Sequence, residues 1–167
     1  MTLPKKILCP VDLSSCSAHA LNTALKLADT MGGTVDVLHA YHVPHYIQPS
    51  LLVWVAAGPR PVWEIAEEQA VAELDAFLAR VAKDRAAGIP TEIVHGDPTA
   101  TILTVAERDG HDLIVMGTHG RTGAKRVLLG SVAEGVVRRA ICPVLTVPEA
   151  ATFEPAVVRA DAPVLRT

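Results

Sequence analysis

The chain has 167 residues, half of them apolar, and a formal net charge of −3. That length suits about one domain with a proper buried core, and mild acidity argues against nucleic acid or an anionic membrane as the main partner, since either selects a basic face. Cys9, Cys16 and Cys142 show no C-x-x-C or metal-ligand spacing and suit a reducing cytosol better than a disulfide framework.

Lys5 to Val11 reads as a first strand, with Ile7, Leu8 and Val11 apolar and Pro10, which has no N–H to donate, closing it. Pro10 and Asp12 also cut this apolar stretch short of a secretory core. Ser14 or Ser15 can cap the next helix, whose Ala18, Leu21, Leu25 and Ala28 recur at helical steps and make one buried stripe. Gly32-Gly33 stops it. Thr34 to Ala40 is a second strand, rich in β-branched residues at its start.

Tyr41 to Pro61 is poorly patterned, with four prolines and the apolar piece LLVWVAA, which is far shorter than the ~20 residues that cross a bilayer. A loop of this length is either a flap or partner-contact patch near a site, or a bland connector. Val62 to Ala87 carries the strongest helical pattern. Val71, Leu74, Phe77, Leu78 and Val81 form its apolar face, acids crowd its front, and Arg80, Lys83 and Arg85 crowd its rear, an order that suits the helix dipole.

Gly88 and Pro90 end that helix, and Thr91 to His95 is a third strand. Asp97-Pro98 caps and opens a helix running to Asp109, with Gly110 as its stop. Asp112 to Met116 is strand four and Pro143 to Val147 strand five, with a helix over Val132 to Ala140 between them. Strands alternating with helices imply an α/β fold, a parallel sheet with helices on both faces. Such sheets bind ligands beyond the carboxyl ends of their strands. Pro148 to Thr167, without period, is expected to form a tail or a partner strap after a single domain over residues 1–147.

The strand-loop-helix stretch Gly117 to Ser131 reads GTHGRTGAKRVLLGS. Glycines at 117, 120, 123 and 130 alternate with Thr118, Thr122, Ser131 and the cations Arg121, Lys125 and Arg126. Small residues let a ligand approach backbone amides, and a helix N-terminus presents unpaired N–H groups, so the pattern points to an anion site, with phosphate the usual occupant. Ala124 between Gly123 and Lys125 breaks a Walker A loop, and two residues between Gly117 and Gly120 break G-x-G-x-x-G. The bland alternative is a glycine-rich surface turn with solvated cations.

The spacing G-x2-G-x9-G-[ST], filled by Gly117, Gly120, Gly130 and Ser131, resembles the nucleotide-binding signature of the universal stress protein family. Gly130 to Val147 is similar to that family's closing helix and strand, and the resemblance spans Lys5 to Val147. It implies an open five-stranded sheet of order 3-2-1-4-5 and a site for ATP, with or without Mg2+ or Mn2+. Pro10, Val11 and Asp12 then line an adenosine pocket, and His39 and Ala40 read the adenine edge through their backbone. Met116 and Gly117 form the floor and ribose side. Gly120, Gly130, Ser131, Val132 and Ala133 form the phosphate cradle, and His119 and Arg121 add charge to the outer phosphates. Ala133 stands where family members often carry a hydroxyl or amide, which leaves only its backbone amide there. The resemblance further implies a homodimer through strand 143–147.

Three functions follow as expectations: a nucleotide-responsive stress regulator, a dimerisation and protein-interaction module without nucleotide, or a slow ATPase or phosphoryl-transfer enzyme. The first is preferred, because transfer chemistry needs a positioned base and a carboxylate-held metal, and Asp12 is the one candidate. Two side readings are weaker. His39, His42 and His45 are spaced by three without a fourth ligand, and Cys16 near a helix start could be a redox thiol or a small core residue. A soluble, cytoplasmic location is expected.

Overall fold

Alternate residues of each central strand face opposite ways, and two cores follow from that alternation. Ile7, Cys9, Val35, Val37, Leu113 and Val115 pack on one side against Leu21, Ala24, Leu25, Leu74, Phe77 and Leu78. Leu8, Leu38, Ile114 and Met116 pack on the other against Ile102, Val105, Ala133 and Val136. The sheet is therefore apolar on both faces, as a parallel sheet covered by crossover helices must be.

The computed structural model describes residues 3–41, 48, 50–56, 58–120 and 129–149. Its elements in order are β1 (Lys6–Pro10), α1 (Ser15–Met31), β2 (Thr34–Tyr41), β3 (Leu52–Val55), β4 (Gly58–Pro61), α2 (Val62–Ala82), a 3-10 turn (Lys83–Gly88), β5 (Thr91–His95), α3 (Pro98–Arg108), β6 (Leu113–Gly117), α4 (Ser131–Arg139) and β7 (Val144–Val147). Five strands form a parallel sheet of order β5-β2-β1-β6-β7. That is the expected 3-2-1-4-5 order, counted over the strands read from the sequence. β1 and β6 are neighbours, so the loops that follow them meet at one end of the sheet.

Local chemistry sets the helix ends. The Ser14 side chain accepts from the Ser17 N–H at the start of α1, and Gly32, at φ 64°, donates its N–H to the Ala28 carbonyl at the end, a left-handed stop that glycine enters without strain. Asp97 caps α3 through the Ala100 N–H, with Pro98 in the first turn.

Three expectations need correction. The α2 helix stops at Ala82 rather than Ala87, because Lys83 turns to φ 51° and the chain tightens into the 3-10 turn. Arg85 ties that turn to Asp29 of α1 at 2.8 and 2.9 Å. Val71 is exposed, and Ala70 takes its place in the buried face. The supposed unpatterned connector contains an antiparallel hairpin, β3 on β4. Of the rest of that segment, 42–47, 49 and 57 lie outside the described residues, as do 150–167 of the tail.

Candidate functional site

β1 ends at Pro10, and the chain enters α1 within a few residues. Leu13 makes the corner at φ 68°, a conformation a non-glycine residue adopts only when its surroundings hold it there. Asp12 supplies the hold: its Oδ1 accepts from the Ser14 hydroxyl at 2.6 Å and from the Ser14 N–H at 3.2 Å. Ser14, not Asp12, caps α1, so the Asp12 carboxylate stays at the mouth of the sheet.

β6 ends at Gly117 on the neighbouring strand. A Cβ there would lie 2.9 Å from Cys16 Sγ, so glycine lets β6 close against α1. Beyond it, the Gly130 N–H donates to the Thr118 carbonyl at 2.7 Å and the Thr118 N–H to the Val147 carbonyl at 3.0 Å. These bonds fasten both described ends of the glycine-rich loop to the sheet. A Cβ on Gly120 would sit 2.6 Å from Asp12 Oδ2, so the backbone after β6 presses directly on the carboxylate after β1.

Between these loops lies a cavity of about 190 Å³ at the carboxyl ends of β1, β2 and β6. Pro10, Val11, Asp12, Ala40, Met116, Gly117, His119, Gly120, Gly130, Ser131, Val132 and Ala133 are all in its wall. Leu38, Pro98 and Ile102 add apolar surface, and Ser17 and Thr118 add hydroxyls. Thr118 belongs to the glycine-rich pattern read from the sequence; the other four lie outside that reading of the site. Leu38 was within reach of it, because strand alternation puts residue 38 on the same side as Ala40. Pro98 and Ile102 come from α3, which no motif connects to the glycine loop.

His39 is absent from that wall. Its side chain is buried and its Nδ1–H donates to the Val11 carbonyl at 2.8 Å, which fixes the Pro10-Val11 segment from the opposite face of the sheet. Arg121, His42 and His45 lie outside the described residues. No cluster of three metal-ligating side chains occurs among the described residues. Cys16 is buried, with its Sγ 3.4 Å from the Val147 carbonyl and 3.8 Å from Thr118 Oγ1, the surroundings of a packed thiol rather than an exposed sensor.

The wall is apolar on the Leu38, Ile102 and Met116 side and polar where α4 begins. Gly130 is the N-cap of α4 and contributes no capping side chain, and the first turn of the helix, with its amides and its positive end, borders the cavity. Among the described residues, Asp12 is the one carboxylate in the wall. The arrangement offers an apolar wall, a carboxylate that accepts hydrogen bonds, and a helix terminus that favours an anion.

Comparison with known proteins agrees with this geometry. The sequence profile of the universal stress protein family matches residues 4–148. Universal stress protein MJ0531 of Methanocaldococcus jannaschii is 36% identical over 148 residues, covering 87% of this chain and 82% of that protein. The solved universal stress protein UspA of Lactobacillus plantarum superposes with a TM-score of 0.66 at 29% identity, covering 86% of this chain and 97% of its own. Two more distant structures share the fold: a universal stress protein in complex with cAMP, at 24% identity and TM-score 0.60 over 89% of this chain and 99% of its own, and a family member from Arabidopsis thaliana with AMP bound, at 23% and 0.56 over 92% and 97%. With its profile match, its sheet order and its relatives in agreement, this chain belongs to the universal stress protein family.

Proposed function

We propose that this protein binds ATP at the carboxyl end of its sheet and acts as a homodimeric, nucleotide-responsive regulator of the stress response in the cytoplasm. The observation that carries the reading is the pairing, in one cavity, of an apolar slot with a glycine-capped helix N-terminus. An adenine ring suits the slot beside Leu38, Ala40, Ile102 and Met116. Ribose hydroxyls suit the Asp12 carboxylate, and phosphates suit the amides of Ser131, Val132 and Ala133 together with the Ser131 hydroxyl. Adenine nucleotides occupy two proteins of the same fold, which supports the ligand class.

Mg2+ or Mn2+ would travel with the polyphosphate, and Asp12 is the carboxylate available to it. Asp12 already accepts two hydrogen bonds from Ser14, which suits it to hold a ligand rather than to take a proton from water. Binding is therefore favoured over turnover. The dimer is assigned to β7, which has no further strand beside it among the described residues, so that its outer backbone edge suits a second copy. Leu145→Pro should leave a folded single chain at that edge.

The deciding experiment is to heat-denature the purified protein, identify released small molecules by mass spectrometry, and titrate the refolded or stripped protein with ATP by calorimetry. An adenine nucleotide released, or ATP bound with saturation, supports the reading. If no adenine nucleotide is released and ATP does not bind to protein with intact secondary structure, the reading is overturned.

A further inference from the structure

The β3-β4 hairpin carries an apolar surface that nothing in the nucleotide site uses. Trp54 is 83% exposed and Leu52 58% exposed, an unusual display for large apolar side chains on neighbouring positions of one strand face. Neither edge of this two-stranded sheet has another strand beside it among the described residues.

The two edges differ in what they can accept. The Val62 N–H donates to the Leu51 carbonyl at 2.9 Å, which makes that pair hydrogen-bonded. Alternation along the antiparallel register then makes Val53 with Arg60 the next hydrogen-bonded pair, while Leu52 with Pro61 and Trp54 with Pro59 are the non-hydrogen-bonded pairs. At those positions backbone groups point away from the partner strand. On β4 they belong to Pro59 and Pro61, which have no N–H, so that edge cannot donate to an added strand. On β3 they belong to Leu52 and Trp54, and both keep an N–H and a carbonyl pointing outward.

We propose that the outer edge of β3 pairs antiparallel with β3 of a second copy, about a two-fold axis through Val53. In that register Leu52 of one chain meets Trp54 of the other in hydrogen-bonded pairs on both sides of the axis, and the two valines meet between them. The pairing is self-complementary: both outward pairs exchange N–H···O bonds, and each exposed indole covers the exposed leucine opposite. No charged residue occurs from Leu51 to Gly58, so two copies meet without like-charge repulsion. Arg60, the one cation of the hairpin, is held on α2 by Glu64 at 3.0 Å and by Glu68 at 2.7 and 2.8 Å, away from the new seam. This contact uses a different edge from β7, so the two together would join dimers into larger closed assemblies.

Cross-linking reads the register directly. In a Cys142→Ser background, with Cys9 and Cys16 buried, Val53→Cys places two thiols across the axis at the Cα spacing of a non-hydrogen-bonded pair, about 4.5 Å, within disulfide range. Under mild oxidation Val53→Cys should give a two-chain species at least ~10-fold faster than Val55→Cys, whose copies lie far apart in this register. Trp54→Ser, on an exposed side chain, should halve the mass in sedimentation equilibrium while the far-ultraviolet circular dichroism stays that of the parent. Equal cross-linking rates for the two cysteine variants would overturn the register. An unchanged mass for Trp54→Ser, or a single chain whose β3 edge takes up only an unrelated strand peptide, would overturn pairing between copies.

Discussion

The two ends of the parallel sheet are built in opposite ways. At the amino end, side chains close the structure. Asp112 accepts from the backbone N–H groups of Lys5 and Lys6 at 2.9 to 3.1 Å, the Lys6 ammonium donates to the Asp109 carbonyl at 3.0 Å, and His111 Nε2 lies 3.0 Å from Asp36 Oδ2. Arg108 grips both Glu92 and Asp109. At the carboxyl end the contacts are made by backbone and small residues: Gly117 against Cys16, Gly120 against Asp12, Gly130 against Thr118. One end is tied by ion pairs and side-chain hydrogen bonds and can be tested by stability. The other places amides and the Asp12 carboxylate in the wall of a cavity and can be tested by affinity.

The largest expected effect is at Gly120. A side chain there must displace the Asp12 carboxylate from 2.6 Å and fill the cavity mouth. Gly120→Leu should weaken ATP binding by about 100-fold or more, equivalent to about 2.7 kcal/mol, in calorimetric titration. Its thermal midpoint should stay near that of the parent, because the clash falls on a movable side chain rather than on packed core. Unaltered ATP affinity in a folded Gly120→Leu would break the contrast between the two ends.

Asp112→Ala is the mirror experiment. It leaves the N–H groups of Lys5 and Lys6 without their carboxylate partner, at a cost of about 1–3 kcal/mol of stability in denaturant unfolding. ATP affinity should not change, since Asp112 lies at the opposite end of β6 from the cavity. A shift in affinity as large as the shift in stability would show that the ends are coupled through the strand.

How far these ends could be read from sequence differs for the same physical reason. Periodicity and capping residues announce elements, so Asp97-Pro98 and Gly32 marked the boundaries of α3 and α1, and the strand order followed from the family resemblance. The glycine spacing announced the cavity mouth because backbone conformation and close approach demand a residue type. The hairpin stayed hidden because Pro59 and Pro61 read as strand breakers, although each sits where its missing N–H faces outward and disrupts no bond of the β3-β4 ladder. The α3 side of the cavity, Pro98 and Ile102, was not legible: an apolar wall residue has the same signature as any core residue.

Gly117→Ala probes the seam between β6 and α1 at the carboxyl end, at moderate cost. The added Cβ would lie 2.9 Å from Cys16 Sγ and 3.3 Å from the Cys16 backbone carbon, so β6 and α1 must separate by a few tenths of an ångström. Such overpacking costs about 1–3 kcal/mol. Cys16→Ala in the same chain removes the sulfur and should restore part of that loss, giving a favourable coupling in a double-mutant cycle. Additive losses would place the strain on the backbone contact instead.

The smallest effect concerns acid. The Arg108 guanidinium beside Asp109 holds that carboxyl below its usual range. A folded-state pKa depressed in this way contributes stability that is present above the unfolded carboxylate value, near pH 4, and is lost as pH falls through the folded value. Arg108→Ala should therefore lower the thermal midpoint slightly at neutral pH and flatten the acid limb of a plot of thermal midpoint against pH, the variant and the parent converging below about pH 4. The pair is solvent-exposed, so the effect should shrink further in high salt. Because Arg108 serves the amino end alone, ATP affinity at neutral pH should be identical in the variant. A fall in affinity would mean that the α3 helix transmits charge at its last turn to the Pro98 turn at its start, where it borders the cavity.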